Sequence, residues 1–226
     1  MMRFVAHIFG KRFWREACGE FRILTNRYRF ACNSSQRRRL EELRTLRDLW
    51  LHLGSSSTRL PGWVNIDAFP GGDLVLDLRR GLPFPDNSAQ FIFHEHFLEH
   101  LDYYLEVPEF LAECHRVLKP GGTMRIVVPD VETFVAAYQQ RAMHWFQQVE
   151  PERNFRSACE GLALTFQYEG QHHSAWDYET LELNLKQGGF NRIERTGYRQ
   201  GPIRELNLEA DSAVRASHSL CVNATK

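Results

Sequence analysis

The 226-residue chain has no apolar run near the roughly 20 residues that a membrane-spanning helix needs. Cysteine is scarce and scattered: Cys18, Cys32, Cys114, Cys159 and Cys221 are odd in number and form no CxxC pair. That argues against a disulfide framework and suits reduced thiols in an intracellular protein. Net charge is absent too, with 28 Lys/Arg against 28 Asp/Glu, so nothing global points to nucleic acid. There is no internal repeat and no low-complexity tract. No acid precedes Glu16, yet "MMRFVAHIFGKRFWR" lacks the unbroken apolar stretch of a signal peptide. A transit peptide, an interfacial helix and a basic helix packed on the domain all remain open for it.

Charge is unevenly placed. Residues 1–50 hold 12 Lys/Arg against 5 Asp/Glu. Residues 1–36 read as a basic helical arm suited to a membrane-surface or protein contact, and 37–226 as the main domain. The expected location is cytoplasmic, with a peripheral membrane attachment left open. Leu40, Leu43, Leu46 and Trp50 share one face of a helix expected over 37–50. Short apolar strands are expected at 50–53, 63–66, 74–76, 90–93, 124–128, 190–196 and 220–225. Helices are expected at 106–118, ended by "KPGG", at 131–148 behind the N-cap Asp130, and from Asp177 to Gly188. Residues 149–175 read as polar and irregular. Strands alternating with helices predict an α/β fold with a mostly parallel sheet.

The turn after the first strand, "LHLGSSSTRLPGWVNID", sets a glycine at the end of one strand and an acid at the end of the next. Open parallel sheets bind ligands at these carboxyl ends. A tight turn followed by a surface aspartate would give the same letters.

The order of pieces decides more: "LHLGSSS", "VNID", "LVLDLRRGLPFPDNSAQFIF", "HEHFLEHL", "ECHRVLKPGGTMRIVVPD" and "LKQGGF". In this order and spacing the chain resembles the class I S-adenosylmethionine-dependent methyltransferases, in particular the small type-11-like family. The resemblance is strong over 50–130 and looser over 176–226. It implies a Rossmann-like, mostly parallel seven-stranded sheet with an antiparallel last strand, and S-adenosylmethionine as cofactor. It implies methyl transfer to an oxygen or nitrogen of a small molecule or glycan, with no resident metal. By position it gives Gly54, Ser55 and Ser56 to the loop under the methionine and ribose, and Asp67 to the ribose diol. Asp77 and Leu78 go to the adenine, and His94 and Glu95 to the sulfonium side. The usual glycine-rich loop is here filled with serine, which resists positive φ. Only nine residues join the first two strands and seven the next two, against the dozen or so of a parallel crossover. The first helices of the fold are therefore expected to be missing or shortened. The serine-filled turn also keeps open a catalytically silent shell that only binds.

Several histidines stand outside this scheme. His94, His96 and His100 could ligate a metal, which would suit a metal-dependent hydrolase. His172 and His173 fall where the fold borders its acceptor pocket. His173 is the first candidate base and His94 the second, with solvated loop histidines as the plain alternative. Residues 197–217 read as a lid or a disordered loop.

Overall fold

The computed structural model describes residues 11–226; the part of the basic arm expected at 1–10 lies outside the described residues. Two helices, α1 (Lys11–Cys32) and α2 (Ser34–Thr45), lead into a seven-stranded sheet. Its strands are β1 (Leu49–Leu53), β2 (Val64–Asp67), β3 (Leu74–Val75), β4 (Ala89–Glu95), β5 (Leu118–Pro129), β6 (Arg192–Thr196) and β7 (Ser219–Thr225). The spatial order is β3-β2-β1-β4-β5-β7-β6. The pairs from β3 to β5 are parallel, and β7 runs antiparallel to both β5 and β6. The chain moves outward from β1 to β3 and then returns to place β4 on the other side of β1. That switch opens a crevice at the carboxyl ends of β1 and β4.

The central strands β1, β4, β5 and β7 are largely buried on both faces. Met124, Ile126 and Val128 of β5 join Leu51, Leu53 and Ile92 in the main core, while Val127 and Phe93 pack with Trp63, Leu206 and Cys221 on the other face. The short connections are as expected: β1 to β2 and β2 to β3 are joined by turns, without a crossover helix. The N-terminal helices cover the sheet there instead. Leu43 of α2 is buried in the main core, with Phe30 and Leu40 packed against it, a gain of about 1.5–3 kcal/mol for Leu43 alone. Gln36 clamps β3 by donating to the Asp73 carbonyl and accepting from Val75 N–H, and Asn26 of α1 donates to the Ala68 carbonyl. Helix α2 starts earlier than its apolar stripe suggests because the Asn33 side chain caps Ser35 and Gln36.

Helix α3 (Val107–Val117) backs the sheet. The single helix expected at 131–148 is two, α4 (Val131–Gln139) and α5 (Met143–Val149), broken where Arg141 takes φ 54°. The stretch expected to be irregular contains α6 (Ala158–Gln167), capped by Ser157 on the Glu160 N–H. The sequence carried that signal as Ser-x-x-Glu. Together α4, α5 and α6 enclose a separate small core around Phe134 and Phe146 and form a cap beside the crevice. Helix α7 (Tyr178–Gln187) is capped by Asp177, as expected.

Segment 197–217 is ordered. It holds a 3-10 turn (Arg204–Leu206) and most of α8 (Ala213–His218). Its anchor is a fully buried ion pair between Arg125 of β5 and Glu209, with Arg125 also donating to Thr196, Asn223 and the Gly197 carbonyl.

Candidate active site

A cleft of about 1590 Å³ opens at the carboxyl ends of the central strands. Gly54, Ser55, Ser56, Asp67, Asp77, Leu78 and Glu95 all line it, as do His100, His172 and His173. Helix α1 contributes Glu20, Arg22 and Ile23, so the arm forms part of its wall.

Gly54 takes φ 71°, and a Cβ there would lie 2.5 Å from the Phe97 ring. Only glycine satisfies both the left-handed backbone and that close approach. Gly54→Ala is expected to lower the melting temperature by several degrees, read by thermal unfolding; an unchanged melting curve would show that Phe97 yields freely. The turn does without a second glycine. Ser56 adopts φ 47°, held there because its N–H donates to Asp67 Oδ2 at 2.8 Å. The other carboxylate oxygen accepts from Phe69 N–H at 2.9 Å. Asp67 thus shapes the turn and still keeps a lone pair on each oxygen. Ser55 is buried, with its hydroxyl unpartnered.

Two expected contacts are already engaged within the protein. Asp77 accepts from the Arg79 backbone and guanidinium, and that guanidinium reaches on to Glu20 of α1. Burial pushes the Asp77 pKa up, but the Arg79 bonds and charge outweigh it and leave it lowered. Leu78 is buried below. Glu95 accepts from the Tyr198 hydroxyl and the Ala210 N–H and faces Arg215, so it fastens segment 197–217 along the cleft.

His94 needs correcting as a site residue. It is fully buried between Phe97 and Phe110, its ring nitrogens have no partner, and it does not line the cleft. Burial, helped by His52, holds its pKa down at about 3, so it stays neutral and cannot serve as a base for a molecule it does not meet. The unfolded chain protonates this imidazole near pH 6.5; the folded chain does so only near 3. Its contribution is therefore lost as pH falls below 6.5, at up to about 1.4 kcal/mol per pH unit. His94→Leu is expected to shrink the drop in melting temperature between pH 7.5 and pH 5, and an equal drop in both proteins would refute this.

Residues that sequence reasoning missed stand beside these. His52 of β1 lines the cleft, packed on Phe93. Asn65 donates to the Leu60 and Trp63 carbonyls and to Asp73, and its Oδ1 faces His52 Nδ1 at 3.0 Å. Only a protonated Nδ1 suits that carbonyl, so the lone pair is on Nε2. Burial lowers the His52 pKa. Glu99 has both oxygens buried without a hydrogen bond, and burial raises its pKa to about 8. Nothing in the letters "HEHFLEH" marked Glu99 above its neighbours, because only folding the turn inward buries it.

His94, His96 and His100 do not gather. His96 bonds the Ser219 hydroxyl and stacks edge-on to His218, whereas His100 turns to the Gln171 carbonyl and to His172. Among the described residues, the group close enough to share a metal ion is Glu99, His100 and His172.

Residues 68–126, which carry β3, β4 and most of β5, match the family model described as a methyltransferase domain. Over that stretch the chain is similar to S-adenosylmethionine-dependent methyltransferases. The chain is 36% identical over 63 residues to a probable S-adenosylmethionine-dependent methyltransferase of Mycolicibacterium smegmatis, covering 26% of this chain and 23% of that protein. It is 29% identical over 90 residues to a demethylmenaquinone methyltransferase of Lysinibacillus sphaericus, covering 40% of this chain and 37% of that one. The matches thus span well under half the length of either curated relative. A crystal structure from Thermotoga maritima, described as an S-adenosylmethionine-dependent methyltransferase and possible histamine N-methyltransferase, superposes with a TM-score of 0.50. It is 16% identical and covers 98% of this chain and 99% of that one, a likeness of fold. No helix among the described residues is long and apolar enough to cross a membrane.

Proposed function

We propose that this protein transfers a methyl group from S-adenosylmethionine to an oxygen or nitrogen of a small molecule or glycan. One observation carries the reading: the Gly54–Ser56 turn and the Asp67 carboxylate meet on the wall of one cleft at the switch point of the sheet. The residues fit the cofactor. Asp67 has a lone pair on each oxygen for a diol, and the Gly54 turn brings backbone to the cleft wall. Glu20 and Asp77 are paired with Arg79 and Glu95 faces Arg215, but the acids lining the cleft outnumber its arginines, which suits a ligand bearing a sulfonium and an ammonium. His52 Nε2 adds an acceptor on the same wall.

The bound cofactor would supply the electrophilic methyl carbon. The protein orients the acceptor and excludes water, which matters most when charge on sulfur is lost. The cap built from α4 to α6 and the segment fastened by Glu95 enclose the acceptor side. His173 is exposed on that side, its N–H bonded to the Glu99 carbonyl, and is the candidate base for an acceptor that must lose a proton. Calorimetry with S-adenosylmethionine and S-adenosylhomocysteine, followed by a radiolabelled methyl-transfer screen over hydroxyl and amine acceptors, tests the reading. Micromolar binding with turnover supports it. Binding without turnover would leave a silent shell, and no binding would end the proposal.

A further inference from the structure

We infer that Glu99, His100 and His172 form a binding site for a divalent transition-metal ion of the zinc class, set in the wall of the cleft. Their ligand atoms lie within 4.8 Å of one another. A tetrahedral ion about 2.1 Å from each would draw them to ~3.4 Å, a small adjustment of side chains. Each ligand is prepared. His100 Nδ1 donates to the Gln171 carbonyl at 3.1 Å, which leaves the lone pair on Nε2. The His172 ring is stacked on Tyr168 at 4.8 Å and meets the His100 ring edge-on at 5.0 Å. Tying the outer nitrogen of an imidazole to a main-chain carbonyl is the way proteins orient metal-binding histidines. The Glu99 carboxylate is buried with neither oxygen hydrogen-bonded; its nearest polar neighbour, His96 Nδ1, stands 3.4 Å away. A buried, unpartnered carboxylate is costly, and a cation between it and two oriented imidazoles removes that cost.

Two histidines and one carboxylate leave a coordination position open. All three residues line the cleft, so that position faces the acceptor side, where an oxygen or nitrogen of the acceptor would be the fourth ligand. The site also joins two parts of the fold: Glu99 and His100 sit on the 3-10 turn after β4, and His172 follows the cap helix α6. The choice of an acceptor atom as fourth ligand rests on the methyl-transfer reading; the ion site itself does not.

The test is zinc titration by calorimetry of chelator-treated full-length protein, with metal content measured in parallel and S-adenosylhomocysteine titrated separately. One zinc per chain is expected. Glu99→Gln and His172→Ala should each weaken zinc at least 100-fold, whereas His144→Ala, outside the cleft, leaves it unchanged. Glu99→Gln keeps the shape and removes the carboxylate that would ligate the ion, so its melting temperature without metal should not fall. S-adenosylhomocysteine affinity should be the same in all variants. No zinc binding by folded protein, or zinc binding indifferent to both substitutions, overturns the site even if S-adenosylhomocysteine binds. Zinc binding lost in both variants upholds it even if S-adenosylhomocysteine does not bind and the methyl-transfer reading fails.

Discussion

Glu209→Ala is expected to lower the free energy of unfolding by about 3–5 kcal/mol, because it strands the Arg125 guanidinium in a fully buried position. Arg125 would keep its bonds to Thr196, Asn223 and the Gly197 carbonyl, but no counter-charge. The pair itself need not stabilise the fold, since desolvating two ions offsets much of their attraction. A double replacement, Arg125→Met with Glu209→Leu, should therefore recover most of the loss. Chemical denaturation of the three proteins checks both statements. A single substitution costing less than about 1 kcal/mol would mean that water reaches Arg125 when Glu209 is gone. The effect should extend beyond stability: segment 197–217 is held by Glu209 at one point and by Glu95 at another, so loosening it opens the cleft wall.

Asp67→Ala is expected to weaken S-adenosylmethionine and S-adenosylhomocysteine binding at least 100-fold. Hydrogen bonds to a charged group contribute about 1.5–3 kcal/mol each, and each 1.4 kcal/mol is a factor of ten. Two such bonds to a diol would be lost. So would the bonds that fold the turn, since Asp67 also accepts from Ser56 and Phe69. Asp67→Asn keeps one carbonyl acceptor and should fall between the two. Calorimetry reads the affinities, and melting curves separate a collapsed turn from a missing contact. Affinity within threefold of the parent in a folded Asp67→Ala protein would remove Asp67 from the cofactor site.

The sheet was largely legible because its strands are short apolar runs at the right spacing, and buried parallel strands need little else. The two short crossovers were countable as letters, and their consequence, absent helices, followed. The cap was half legible. Its break at Arg141 rests on one residue in a left-handed conformation, which no pattern announces. Its last helix carried a capping signal in Ser157 and Glu160 that the polar composition masked.

The candidate site divides in the same way. Gly54 and Asp67 stand at strand ends, so their place in the cleft follows from the order of elements along the chain. His94 looked equivalent, but alternation along β4 turns it into the main core and leaves Phe93 and Glu95 on the cleft. What α1 does could not be read at all, since nothing in a basic, aromatic helix says that Glu20 will meet Arg79 and close one wall of the cleft.

Sequence by itself determined the α/β architecture, the missing crossover helices, and the glycine and acid at the strand ends, because these depend on the order and periodicity of nearby residues. Only the tertiary structure decided the burial of His94, the Arg125–Glu209 pair and the meeting of Glu99 and His100 with His172. Those depend on which distant segments fold against one another, and the cost of an unpartnered buried group exists only once water has been removed from around it.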